Sequence, residues 1–170
     1  MTTTLSPTMT TPTPSGGTTT VAHGLDGLRG LAGTDLGTTG WLEITQGRVN
    51  TFADATDDHQ WIHVDPARAA AGPFGAPIAH GYLTVSLLIP LFAELLDVRG
   101  IGMGVNYGLD KLRFPSPVRV GSPIRLHGAV DSVEDVPGDG VQVSVDFRVE
   151  VEGSPKPACV ARALYRYYPL

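Results

Sequence analysis

The stretch HGYLTVSLLIPLFAELL, positions 80–96, decides how the rest of the chain is read. Leu83, Val85, Leu87, Leu88, Leu91, Phe92, Leu95 and Leu96 leave it hydrophobic nearly all round, the pattern of a helix wrapped by other elements and not of one lying on a surface. Its most apolar part, residues 82–96, is interrupted by Pro90 and Glu94 and is shorter than the roughly 20 residues that a membrane-spanning helix needs. Something in the same chain must therefore cover it.

The cover lies downstream, where the period changes from helical to alternating. Val141, Val143, Val145, Phe147, Val149 and Val151 alternate with Gln142, Ser144, Asp146, Arg148 and Glu150, which is a long half-buried strand. Further strands are expected at residues 104–114, 124–133 and 158–168, with Pro-Gly-Asp-Gly at 137–140 turning the chain into the long strand. A buried helix followed by a run of antiparallel strands predicts an α+β domain whose sheet curls around that helix.

Upstream, Trp41-Leu42-Glu43-Ile44 precedes Thr45, which can cap a helix carrying Val49, Phe52 and Ala53 on one face. Residues 57–65 are polar with Trp61, Ile62 and Val64 embedded, which suits a packed loop. Asp65-Pro66 then has the cap-plus-proline form of a helix start, running to Ala71 before Gly72-Pro73 stops it. Residues 1–20 hold ten Thr and three Pro and almost nothing large and apolar. Such a segment cannot bury enough surface to offset its ordering entropy. The expected organisation is thus a disordered Thr/Pro-rich tail over residues 1–23 and one domain over 24–170.

The 170-residue length suits one domain, and 42% hydrophobic residues suffice for a core. Seventeen acidic against 12 basic residues give a net charge of -5, which removes the electrostatic footprint of a nucleic-acid binder. The single cysteine, Cys159, sits among Ala158, Ala161 and Ala163 and reads as a small buried hydrophobe, not a nucleophile. The first basic residue is Arg29, so the start lacks the basic and apolar regions of a secretory signal, and a cytoplasmic location is the default expectation.

Chemistry concentrates at residues 57–65, Asp-Asp-His-Gln-Trp-Ile-His-Val-Asp, which hold two of the five histidines and three carboxylates. His59 and His63 have the four-residue spacing of a zinc-protease helix, but Gln60 stands where that motif needs its Glu base, and no metal is expected. As turn and cap groups, His59 and Asp65 are structural, Asp65 capping the next helix. As an acid/base pair, one carboxylate and one imidazole five residues apart could both face one water or substrate proton. A second cluster, Pro77-Ile78-Ala79-His80-Gly81-Tyr82, stands where the apolar helix begins. Backbone N–H groups are unpaired at a helix start, and glycine permits close approach of a ligand oxygen, as an oxyanion hole requires. The alternative is that His80 holds a turn through its ring nitrogens and Gly81 is merely a tight junction.

Taken together, Phe52-Ala53, the run Asp58-His59-Gln60-Trp61-Ile62-His63-Val64-Asp65 and Pro77-Ile78-Ala79-His80-Gly81 resemble the MaoC-like dehydratase family, the (R)-specific enoyl-CoA hydratases. Gln60-Trp61 departs from the family's usual Asn-Pro, and with Asn106-Tyr107-Gly108 and Lys111-Leu112-Arg113-Phe114-Pro115 it looks like the nodulation protein N-like branch. The resemblance covers about residues 28–168. It implies a single hot-dog fold, a homodimer, no cofactor, and hydration of trans-2-enoyl-CoA thioesters to 3-hydroxyacyl-CoA or the reverse dehydration. It also implies site residues: Asp58 and His63 as the catalytic dyad, the Gly81 N–H as the oxyanion donor, and Tyr82, Asn106 and Tyr107 at the substrate. The thioester would be carried by CoA or by an acyl carrier protein, with Lys111, Arg113 and Arg119 available to CoA's phosphates and the acidic net charge favouring CoA. Two other functions compete, a hot-dog thioesterase and a non-catalytic acyl-thioester binding module.

Overall fold

A computed structural model describes residues 18–170. Its main sheet has six strands: β2 (Asp35–Thr38), β3 (Leu42–Glu43), β5 (Met103–Arg113), β6 (Pro123–Val136), β7 (Gly140–Val151) and β8 (Cys159–Tyr168). The strand order is β2-β6-β7-β8-β5, antiparallel throughout, with β3 pairing the start of β6. The strands expected at 104–114, 124–133, 141–151 and 158–168 are all present within three residues of their expected ends, and residues 137–140 make the β6–β7 turn. Alternation locates such strands well because one face is packed and a one-residue slip would expose it.

The apolar segment lies against this sheet as α5 (Gly81–Ser86) and α6 (Leu88–Leu95). Leu83, Leu87, Leu88, Leu91, Phe92 and Leu95 are buried in one cluster with Leu126, Val130, Val143, Val145, Phe147, Ala163 and Tyr165 of the sheet. Phe92 stacks on Tyr165 at 5.0 Å between ring centroids and meets Phe147 edge-on at 5.1 Å, so Phe92 is core. A Cβ on Gly128 would lie 3.2 Å from both Leu95 and the Phe147 ring, so any side chain here would crowd the helix-facing core. This is the expected α+β hot-dog architecture, an antiparallel sheet around a central buried helix.

Two features differ from the sequence reading. The helix expected as one piece over 80–96 is broken at Leu87 and ends at Leu95. Pro90 has no N–H to return to the Ser86 carbonyl, which removes one bond of the ladder at the break. Leu96–Arg99 is then a strand, β4, pairing in parallel with β1 (Thr20–His23). Composition alone does not reveal this pairing, because the strand's partner lies far along the chain. The tail reading for residues 1–17 lies outside the described residues. A short helix, α1 (Gly24–Arg29), follows β1 and buries Leu28. Among the described residues, no helix is long and apolar enough to cross a membrane.

Three helices lead to the polar loop and away from it: α2 (Gln46–Thr56), α3 (Trp61–Val64) and α4 (Pro66–Ala70). Thr45 caps α2 through the Arg48 N–H at 3.3 Å, and Asp65 caps α4 through the Arg68 N–H at 3.0 Å, as their sequence positions predict.

Candidate active site

The polar loop is built by the end of α2. Asp57, the residue after Thr56, has φ +58°, a left-handed conformation that Asp tolerates and that closes a helix. The chain then passes Asp58, His59 and Gln60 before the single turn of α3. Residues 57–60 are all exposed, so the expectation of a packed loop holds only for residues 61–64. Trp61 is half-buried with the Arg68 guanidinium 4.4 Å above its ring. His59 bonds Asp54 at 2.9 Å on the surface and is a structural group, as expected.

His63 points the other way, into the protein, where it is buried. Its Nδ1 lies 2.6 Å from the Ile78 carbonyl. A carbonyl only accepts, so Nδ1 carries the proton and the neutral ring keeps a lone pair on Nε2. Burial pushes the His63 imidazole below its ordinary range, against the opposing pull of the Ile78 bond and of Asp58. Burial therefore favours the neutral ring, with its basic nitrogen held in a fixed orientation by the Ile78 bond.

The Ile78 carbonyl is in turn held in place. Ile78 donates to the Ile62 carbonyl at 3.0 Å, Ala79 to Val118 at 2.8 Å, and Val120 to Pro77 at 2.9 Å. Residues 77–79 are thus stitched between α3 and the segment before β6, and this brings the second sequence cluster against the first. His80 stacks on His63 with centroids 3.8 Å apart and 26° between planes. Its Nε2 lies 2.9 Å from the Asp58 carbonyl oxygen and 4.0 Å from Asp58 Oδ2. Gly81 opens α5 directly after it. A Cβ on Gly81 would meet the Phe114 ring at 3.0 Å, so space and not backbone dihedral demands glycine.

Asp58, His63 and His80 place one ligand-type atom each within 4.8 Å of one another. The donor set fits a proton-handling site better than a metal cage. His80 Nε2 carries its proton toward Asp58 O, so that nitrogen is engaged as a donor and is not open to a metal, and Nδ1 is buried without a hydrogen-bond partner.

The structure brings Asp58 and His63 together through His80, and Gly81 is the next residue after it. Tyr82 is 72% exposed. Asn106 and Tyr107 lie on the edge strand β5, where Tyr107 sits at a bulge under the Arg166 guanidinium, 3.3 Å from its ring centroid. Asn106 lines a largely apolar groove of about 370 Å³ with Val85, Ile89, Leu109 and Tyr165, and none of Asp58, His63 and Gly81 lines it. Cys159 is fully buried, and burial pushes its thiol up to about 11, so it is inert. Sequence reasoning missed Ile78 O as the group that orients His63, and Phe114 as the ring over Gly81. The apolar run Pro77-Ile78-Ala79 beside a histidine-bearing turn was the available signal.

Comparison with known proteins identifies the family. Residues 29–152 match the MaoC like domain. The chain is 54% identical over 140 residues to 3-hydroxyacyl-thioester dehydratase Z of Mycobacterium tuberculosis, covering 82% of this chain and 93% of that protein. It is 45% identical over 141 residues to nodulation protein N of Rhizobium meliloti, covering 81% and 86%. Among solved structures, the (R)-hydratase from A. caviae involved in PHA biosynthesis superposes with a TM-score of 0.65 at 25% identity, over 79% of this chain and 94% of that one. With the matched domain spanning most of the chain and its two polar clusters folded together, the protein belongs to the MaoC-like domain family.

Proposed function

We propose that the protein is a lyase that adds water to trans-2-enoyl thioesters to give (R)-3-hydroxyacyl thioesters, or removes it in reverse, with Asp58 and His63 as its acid/base pair. The observation that carries this reading is the orientation of His63: Nδ1–H is tied to Ile78 O, which leaves the lone pair on Nε2, and the ring belongs to a cluster with Asp58 whose ligand-type atoms lie within 4.8 Å of one another.

The chemistry requires a base on water, a proton for the α-carbon and a donor for the enolate-like oxygen. Asp58 and His63 share the water. As its O–H bond breaks, the proton passes to the pair and the new C–O bond forms at the β-carbon. The π electrons move onto the thioester oxygen, which the Gly81 N–H meets. The pair then returns a proton to the α-carbon as the carbonyl re-forms. Each acid/base group contributes about 100-fold to 10,000-fold in rate. The family membership and the relatives named for thioester dehydration and (R)-hydration support the reaction class.

The reading also includes a homodimer. Strand β5 ends the sheet, and Met103, Val105, Tyr107 and Leu109 on it are 52%, 38%, 55% and 41% exposed. An unpaired apolar edge is a template for a second copy, which would continue the sheet.

The test is incubation with crotonyl-CoA, following loss of the conjugated absorbance and identifying the product. Formation of (R)-3-hydroxybutyryl-CoA is expected. Release of free thiol without a 3-hydroxyacyl product would replace hydration by thioester hydrolysis, and tight binding without turnover would make the protein a binding module.

A further inference from the structure

His80 takes no part in the steps above, yet it is the most enclosed member of the cluster, 2% exposed at the start of α5. Its position is unfavourable for a residue that merely fills space. Because the Asp58 carbonyl can only accept, Nε2 carries the proton, and Nδ1 is left as a buried lone pair with no hydrogen-bond partner. A buried polar atom without a partner costs about 1–3 kcal/mol. An apolar ring would avoid that cost, so the compensation has to come from what the rest of the imidazole does.

Two contacts supply it. The Nε2–H bond, 2.9 Å long, reaches across 22 residues to the backbone of Asp58, in a loop whose residues 57–60 are otherwise exposed. The flat face lies 3.8 Å from the His63 ring, and Phe52 of α2 packs on His80 at 5.0 Å. One side chain therefore touches both members of the pair, the first through its main chain and the second through its ring.

We infer that His80 is a positioning residue that locks Asp58 and His63 into one arrangement, by a hydrogen bond to the Asp58 main chain and by a ring face against His63. It is too enclosed to touch substrate. Its loss therefore lowers turnover and leaves apparent substrate affinity nearly unchanged, since a displacement of about 1 Å at such a pair costs on the order of 100-fold. For its effect on rate the inference rests on the hydratase reading. For its effect on loop order it does not.

The test uses the full chain, wild type, His80→Phe (ring kept, donor lost) and His80→Gln (donor kept, ring lost), with circular dichroism to verify folding. In the wild type, imidazole ¹⁵N shifts place the proton of His80 on Nε2; a proton on Nδ1 overturns the proposal whatever the variants do. In His80→Phe, kcat for crotonyl-CoA falls about 10-fold to 100-fold with KM within about 2-fold. Backbone order parameters of residues 57–60 fall from about 0.85 toward 0.6. His80→Gln restores the loop order and part of kcat. Wild-type kcat and loop order in a folded His80→Phe, or a loss confined to KM, would refute the positioning role. Should the wild type hydrate no thioester, the hydratase reading fails, and the ¹⁵N shifts and order parameters still decide the role of His80.

Discussion

Replacing each member of the proposed pair in turn separates chemistry from stability, because the structure holds the two residues differently. Asp58→Asn changes a side chain that is 55% exposed and whose main-chain carbonyl remains bonded to His80. Stability should change by no more than about 0.5 kcal/mol, as for most surface substitutions away from structural contacts. His63→Ala removes the donor to the buried Ile78 carbonyl and a ring packed 3.8 Å from His80. An acceptor left without its donor costs about 1–3 kcal/mol, and the vacated space adds to that, for a total of about 2–4 kcal/mol. Both variants should lose at least 100-fold in crotonyl-CoA hydration, which is about 2.7 kcal/mol of transition-state stabilisation. Turnover is read from the conjugated absorbance at fixed folded concentration, and stability from urea denaturation with the slope checked for constancy. Near-wild-type turnover in Asp58→Asn would refute the acid/base assignment. A His63→Ala protein as stable as its parent would refute the account of how His63 is held.

Acid should weaken the fold through His63. Burial lowers its pKa in the native state, so below about pH 6.5 the unfolded chain binds the proton first and stability falls with falling pH until the native His63 titrates as well. Exposed His59 beside Asp54 titrates in the opposite sense, so the measurement is the difference between parent and His63→Gln in urea denaturation from pH 7.5 to 5.5; an identical slope in both would contradict it. Gly81→Ala should lower turnover by about 10-fold by pressing on Phe114, and combining it with Phe114→Leu should recover part of that loss; kinetic additivity of the two changes would refute the crowding. Leu91→Ala, at a fully buried helix position, should cost about 2–5 kcal/mol by urea denaturation, and a cost below about 1 kcal/mol would mean the helix is not central to the core. Val105→Lys with Leu109→Lys should turn a dimer into a monomer in sedimentation velocity, and an unchanged sedimentation coefficient would remove β5 from the interface.

Local pattern was enough where one physical constraint dominates a stretch of chain. The alternation of Val141 to Val151 required a strand with one packed face, and the all-round apolarity of residues 80–96 required a covered helix. Thr45 and Asp65 marked helix starts because capping depends on neighbours only three residues away. Asp58 and His63 could be singled out, but five residues of spacing say nothing of where two side chains point.

That direction was decided by contacts between distant segments. β1 exists because Leu96–Arg99 lies beside it, and the helix breaks at Leu87 within a ladder that Pro90 interrupts. His63 is oriented by Ile78 O, fifteen residues on, which is itself held by hydrogen bonds of residues 77–79 to the segment before β6. His80 reaches back to Asp58, and Phe114 closes over Gly81. Periodicity and capping are short-range properties that a sequence displays directly. The pairing of a ring nitrogen with one particular carbonyl depends on the packing of the whole sheet and helix, and only the folded chain selects it.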